Sequence, residues 1–143
     1  MENQEVKKKK KNLIVIGKRK KAVACAVVHE GTGKIRINST PIEIFQPRYV
    51  QMRIMEPVII AGEAAKRVDM DIKVNGGGIW GQADAARTAI ANGLVQWNKD
   101  NKLKEAYIDY DRSILVSDPR RTEPHKPSRS TAGPRRSKQQ SKR

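Results

Sequence analysis

The clearest pattern in the chain is a strict alternation over residues 68–74, with Val68, Met70, Ile72 and Val74 on one side and Asp69, Asp71 and Lys73 on the other. Period two over this length predicts a strand with one buried and one wet face. Residues 22–29 are apolar on both faces and rich in Val and small side chains, which predicts a central strand. The turn signal Glu30-Gly31-Thr32-Gly33 follows, and Lys34-Ile35-Arg36-Ile37-Asn38 then alternates, so the two segments read as a hairpin with Ile35 and Ile37 inward. Residues 13–16 predict a first strand. Residues 41–45, with Ile42 and Ile44 against Glu43, predict a short edge segment.

The remaining periodicity is helical. Gln46-Pro47 suits a helix start, and residues 49–55 predict a short helix stopped before Pro57, ahead of a second apolar stretch at 58–65. Residues 82–98 predict the longest helix, with Ala86, Ala89, Ile90, Gly93, Leu94 and Trp97 in one stripe. A stripe made mostly of Ala and Gly lets such a helix lie close on a sheet. A short helix over 102–107 and a last apolar run at 114–116 complete the pattern, and no internal repeat is present.

Charge changes the picture. The 143 residues carry a formal net charge of +15. Residues 1–21 and residues 117–143 each hold nine Lys or Arg against two acids, whereas the middle is close to neutral. The chain therefore divides into a disordered basic lead-in at 1–11, a globular core at 12–116 and an extended basic tail at 117–143. From Pro119 to the end there are four prolines, nine cations, one acid and no large apolar side chain, too little to offset the entropy of ordering alone. Basic ends flanking a neutral domain suit arms that follow a phosphate backbone. An anionic membrane is a weaker partner, because the arms offer no Trp, Phe or Leu to insert. A DNA-compacting architectural protein remains a second class compatible with the same tails.

Candidate chemistry is sparse. Cys25 is the only cysteine, so an intrachain disulfide is excluded and a reducing compartment fits; it is expected to be a small core residue. His29 and His125 are the only histidines, and no ligand spacing assembles a metal site. No apolar run is long enough to span a bilayer, and the four residues after Lys7-Lys8-Lys9-Lys10-Lys11 are too few for a signal peptide. Asp109 and Asp111, near Arg112, read as ion-paired structure and not as an acid–base pair. Lys18-Arg19-Lys20-Lys21 places four cations side by side, which favours a phosphate partner over a solvated turn. Gly76, Gly78 and Gly81 match the dinucleotide fingerprint in form, as an enzyme would use it. The preceding strand, however, alternates where a dinucleotide-binding strand is buried on both faces, and Asp100 falls in a polar turn. A structural turn and a seat for a backbone phosphate remain open for Gly76-Gly77-Gly78. The few aromatics are not expected to form a stacking platform, leaving phosphate and shape as the expected mode of recognition.

Several ordered motifs together resemble the universal small-subunit ribosomal protein numbered nine, in its archaeal and eukaryotic wording. They are Gly17-Lys18-Arg19-Lys20-Lys21-Ala22-Val23-Ala24, Lys34-Ile35-Arg36-Ile37-Asn38, Ile54-Met55-Glu56-Pro57, Gly76-Gly77-Gly78 with Gly81-Gln82-Ala83, and Tyr110-Asp111-Arg112 through Asp118-Pro119-Arg120-Arg121. The resemblance covers about residues 12–143 and implies a single α+β domain: a twisted, mainly antiparallel sheet, helices on one face, and a left-handed βαβ crossover. It implies a non-catalytic protein of the cytoplasmic ribosome, without cofactor, small-molecule substrate or membrane partner, seated in the small-subunit head beside neighbouring head proteins. With the charge pattern, the resemblance leads to the expected rRNA contacts Lys18, Arg19, Lys20, Lys21, Gly76, Gly77, Gly78, Arg120, Arg121, Lys126, Arg129, Arg135, Arg136 and Lys138. Ser141, Lys142 and Arg143 would reach the anticodon stem-loop of peptidyl-site tRNA. Archaeal relatives often end Ser-Tyr-Arg, so Lys142 departs from that branch and keeps a cation where a phenol would stand.

Overall fold

A computed structural model describes residues 12–124. Leu13–Arg19 (β1) and Ala22–Glu30 (β2) pair antiparallel, Leu13 opposite Val28 and Arg19 opposite Ala22. The first strand thus runs past residue 16 and takes in Gly17, Lys18 and Arg19, leaving Lys20-Lys21 as the turn. Ile35–Ile37 (β3) and Thr40–Pro41 (β4) make a second, smaller hairpin, and a 3-10 turn at Ile42–Ile44 follows where an edge segment is predicted. Val68–Asn75 (β5) lies between β2, to which it is antiparallel, and β3, to which it is parallel, giving the order β1-β2-β5-β3-β4.

The hairpin predicted from residues 22–29 and 34–38 does not form, because β5 occupies the place between them. The intervening turn is tied to β5 instead. Asp69 accepts hydrogen bonds from the amides of Thr32 (2.7 Å) and Lys34 (2.8 Å), and the Gly31 amide donates to the Arg67 carbonyl (3.1 Å). Burial pushes the Asp69 carboxyl up, but these amide donors outweigh it and hold the group below its ordinary range.

Arg48–Ala61 (α1) carries the chain from β4 towards β5, through a 3-10 turn at Gly62–Arg67, so β3, α1 and β5 form a crossover between adjacent parallel strands. The predicted stop before Pro57 is absent and the helix continues one turn beyond it. A proline inside a helix forfeits one amide bond and crowds the preceding turn. Here the ring is buried, and the Pro57 carbonyl accepts the Tyr107 hydroxyl at 2.7 Å. Burial pushes that phenol well above its ordinary range, so it is a neutral donor. Ile79–Asn98 (α2) starts three residues ahead of the prediction. Asn101–Tyr110 (α3) is longer than expected and is capped by Asp100, whose carboxylate accepts from the Lys102 amide at 2.9 Å.

All the helices lie on one face of the sheet. Ala22, Ala24 and Ala26 of β2 are fully buried opposite the Ala-rich face of α2. At Gly17 the approach is closest: a Cβ there would overlap the Ala85 carbonyl oxygen and sit 2.7 Å from the Ala89 nitrogen. Val28, Met70, Ile72, Ile90 and Leu94 fill the centre, α1 adds Val50 and Ile54, and Tyr107 and Ile114 close the far end. The buried stripe of α2 is wider than predicted and includes Arg87 and Thr88, because the other helices cover its flank; Trp97 is half-buried at the edge. The other sheet face is covered by none of the described elements. Ile14, Ile16 and Val23 are exposed there, and Cys25, expected in the core, is half-buried on it.

Two glycine substitutions should separate close approach from mere glycine content. Gly17→Ala is expected to destabilise the fold by about 3 kcal/mol through overpacking. Gly81→Ala, whose Cβ would make only ordinary contacts at 3.6 Å with Ala22 and the Arg19 carbonyl, should be neutral or stabilising within about 1 kcal/mol. Urea unfolding midpoints of the two variants check both signs.

Candidate nucleic-acid interface

Three of the segments singled out by sequence meet at one corner of the molecule. Gly76 and Gly77 adopt φ of 75° and 67° and fold back over the β1–β2 turn. A Cβ on Gly76 would lie 2.5 Å from the Lys21 carbonyl oxygen, and one on Gly77 would lie 3.0 Å from the Ala22 nitrogen, so only glycine lets this turn rest on the lysines. Gly78 is the N-cap of α2 and supplies no side-chain acceptor, so the first amides of the helix have no intrahelical partner at this corner. The chain returns to the same place after Ile114. Ser117 donates its hydroxyl to the Lys18 carbonyl (3.1 Å), and Arg19 Nη1 makes an ionic contact at 2.6 Å with Asp118, which also binds Arg120 at 2.7 Å.

Lys18, Lys20, Lys21, Arg120 and Arg121 are exposed here, and the three lysines form no ion pair among the described residues. Arg19 differs, being held between Asp84 (3.4 Å) and Asp118. From Asp84 an alternating chain of charges runs down the α1–α2 seam: Arg53 (3.3 Å), Glu56 (3.0 Å from Arg53), Arg87 (2.5 Å from Glu56) and Asp111 (3.0 Å from Arg87). Arg87 is only 2% exposed, and removing one partner of so buried an ion strands the other charges. Asp111 is thus ion-paired as expected, but with Arg87 and not with its neighbour Arg112. Burial raises its pKa, yet Ser113 and Arg87 outweigh that and hold the carboxyl below its ordinary range. The sequence carries no periodic signal for this chain of ions, since its members come from three separate segments, α1, α2 and the residue after α3.

Other expected sites stay apart or fall away. No strand follows α2 among the described residues, and β5 runs antiparallel to β2, so the glycine fingerprint has no dinucleotide-binding sheet around it. The cleft beside Lys18, Arg53 and Asp118 holds about 120 Å³, well below a nucleotide-sized site. Among the described residues no cluster of His, Cys, Asp or Glu could hold a metal, and no helix is long and apolar enough to cross a membrane. Sequence did not anticipate that Tyr49 and Trp80 stack, with ring centroids 5.2 Å apart. His125, Lys126, Arg129, Arg135, Arg136, Lys138, Ser141, Lys142 and Arg143 lie outside the described residues, as does the lead-in at 1–11.

This combination defines a basic, single-domain α+β protein whose uncompensated cations gather where a chain terminus leaves the core. The chain belongs to the ribosomal protein S9/S16 family, whose model matches residues 17–143. It is 54% identical over 126 residues to the small ribosomal subunit protein uS9 of Methanococcus maripaludis, covering 88% of this chain and 94% of that one. The uS9 of Methanococcus vannielii is 52% identical over the same coverage, and that of Methanothrix thermoacetophila is 54% identical over 110 residues, 77% of this chain and 83% of its own.

The Asp118 carboxyl is held far below the usual carboxylate range, chiefly by the Arg120 side chain and then by the Arg120 amide and Arg19. Its folded pKa is depressed, so the tie is complete above the unfolded value of about 3.9 and is lost as pH falls through the folded value. Asp118→Ala, which removes the acceptor altogether, should therefore remove protection of the Arg120 amide against hydrogen exchange at neutral pH, and acidification of the unsubstituted protein well below pH ~4 should weaken it. Unchanged protection in both experiments would show that the carboxylate does not hold this segment.

Proposed function

We propose that the corner formed by Lys18, Lys20, Lys21, Gly76-Gly77-Gly78, Arg120 and Arg121 binds rRNA phosphates in the head of the small ribosomal subunit. The role is structural and not enzymatic, as it is for the family. The supporting observation is the convergence itself: segments far apart in sequence deliver exposed lysines with no ion pair among the described residues, the first amides of α2 and the root of the tail to one place. Arg19 serves this surface from beneath by holding Asp118. Residues 117–143 continue it along rRNA, with Lys126, Arg129, Arg135, Arg136 and Lys138 as further phosphate contacts. Ser141, Lys142 and Arg143 would meet peptidyl-site tRNA, with the other head proteins as neighbours in the cytoplasmic ribosome. Core and tail are separate units of this reading, 12–116 and 117–143.

Each phosphate neutralised releases counterions and adds roughly 0.7–0.9 to the slope of log affinity against log salt. Binding of the full chain to small-subunit rRNA should be steeply salt-dependent, and replacing Lys20 and Lys21 by Gln should lower the slope by about 1.5. A slope near zero in the parent protein would dismiss the proposal, and tighter binding to DNA than to rRNA would favour the architectural alternative. For the tail, deletion of Lys142 and Arg143 is expected to raise the dissociation rate of peptidyl-site tRNA while subunits still assemble. Identical dissociation rates would count against the tRNA contact.

A further inference from the structure

Tyr49, in the first turn of α1, and Trp80, in the first turn of α2, stack with centroids 5.2 Å apart and planes inclined by 27°, although each residue remains 56% exposed. One helical turn further along both helices, Arg53 and Asp84 form the next rung of the same seam at 3.3 Å. The aromatic pair is therefore the last rung, where the seam opens to solvent. Gly81, the residue after Trp80, approaches the Arg19 carbonyl and Ala22, so the first turn of α2, which carries Trp80, packs against the residues on either side of the Lys20-Lys21 turn. Arg48, exposed and next to Tyr49, adds another cation with no ion pair among the described residues. Exposed aromatic area set among unpaired cations is the composition of surfaces that hold unpaired bases, where a planar ring extends the stack and the backbone phosphates meet the charges.

We propose that the Tyr49–Trp80 pair is a stacking site for an unpaired nucleobase of RNA. The inference rests on the phosphate-binding reading of the adjoining corner and adds a base contact that phosphate binding alone does not require. The test uses the full chain in a Trp97→Phe background, so that fluorescence reports Trp80 alone, titrated with a short oligoadenylate and with an abasic oligomer of equal phosphate count. Trp80 emission should be quenched by the oligoadenylate only, and its binding should be about tenfold tighter than that of the abasic chain. Tyr49→Leu should remove most of that difference while leaving the salt slope and the circular dichroism spectrum unchanged. In the parent Trp97 background, Trp80→Phe should retain much of the base preference and Trp80→Ala should abolish it. Equal affinities for the base-bearing and abasic chains, with a steep salt slope, would overturn the stacking site and leave the phosphate reading standing. Absence of binding to either chain at low salt would overturn both. If Tyr49→Leu preserves the base preference but weakens docking of a neighbouring head protein onto reconstituted subunits, the pair is a protein contact and the proposal falls.

Discussion

The rest of the structure depends on how closely α2 lies on β1 and β2. Gly17 admits the backbone of α2 at Ala85 and Ala89, and buried Ala22, Ala24 and Ala26 continue a surface with no bulk to hold the helix off. Dispersion contacts and burial of many small apolar groups replace the few large side chains of an ordinary helix–sheet contact. The direct consequence is positional. With α2 seated this low, its N-terminus projects over the β1–β2 turn, and the segment linking β5 to α2 has to pass against Lys21 and Ala22. A Cβ on Gly78 would meet open space, whereas only glycine fits at positions 76 and 77, so those two follow from the packing of the helix and need not be explained by a ligand. The free amides at the cap are then available to one.

Within the core the arginines are handled differently from the lysines. Arg19, Arg53 and Arg87 are partly or fully buried and are interleaved with Asp84, Glu56, Asp111 and Asp118, each guanidinium meeting more than one carboxylate. Planar, multi-donor guanidinium suits such bridging better than an ammonium would. The lysines of the corner are left exposed, as compact, strongly hydrated charges that can exchange water for phosphate. Within the near-neutral middle, Arg53 and Arg87 are thus neutralised internally by Asp84, Glu56 and Asp111. The excess that remains lies on lysines at the corner and on the residues leading out of it.

How much of this was legible follows from the range of each interaction. The alternation of residues 68–74 and the small-residue stripe of α2 are local patterns, and both elements appear where periodicity puts them. Strand order is not local: β2 and β3 are adjacent in sequence and carry hairpin-like signals, yet Asp69 binds the intervening turn and β5 takes the place between them. Pro57 reads as a helix stop because the cost of an internal proline is local, while its buried setting and the Tyr107 hydroxyl on its carbonyl come from α3. Lys18-Arg19-Lys20-Lys21 was visible as one cluster. Its division into three lysines without an ion pair among the described residues and one committed arginine depends on Asp84 and Asp118, both distant in sequence. Tyr49 and Trp80 were each visible, but only the parallel course of α1 and α2 brings them together.

Asp118 makes the relation between core and tail a question of position and not of charge. A carboxylate at the root of a basic tail removes one unit of attraction for phosphate, and its pairing with Arg120 at the surface adds little to stability. Charge alone would therefore disfavour it. By joining Arg19 to Arg120, however, it fixes the direction in which the chain leaves the core and holds Arg120 and Arg121 at the corner that carries Lys20 and Lys21. Cations held in one frame share a single loss of rotational and translational freedom on binding, whereas a loosely attached segment must be ordered again at each contact. A small loss of net charge is thus exchanged for pre-arrangement of the cations that remain, and this accounts for an acid in a segment, 117–143, that holds nine Lys or Arg and only one other acid, Glu123.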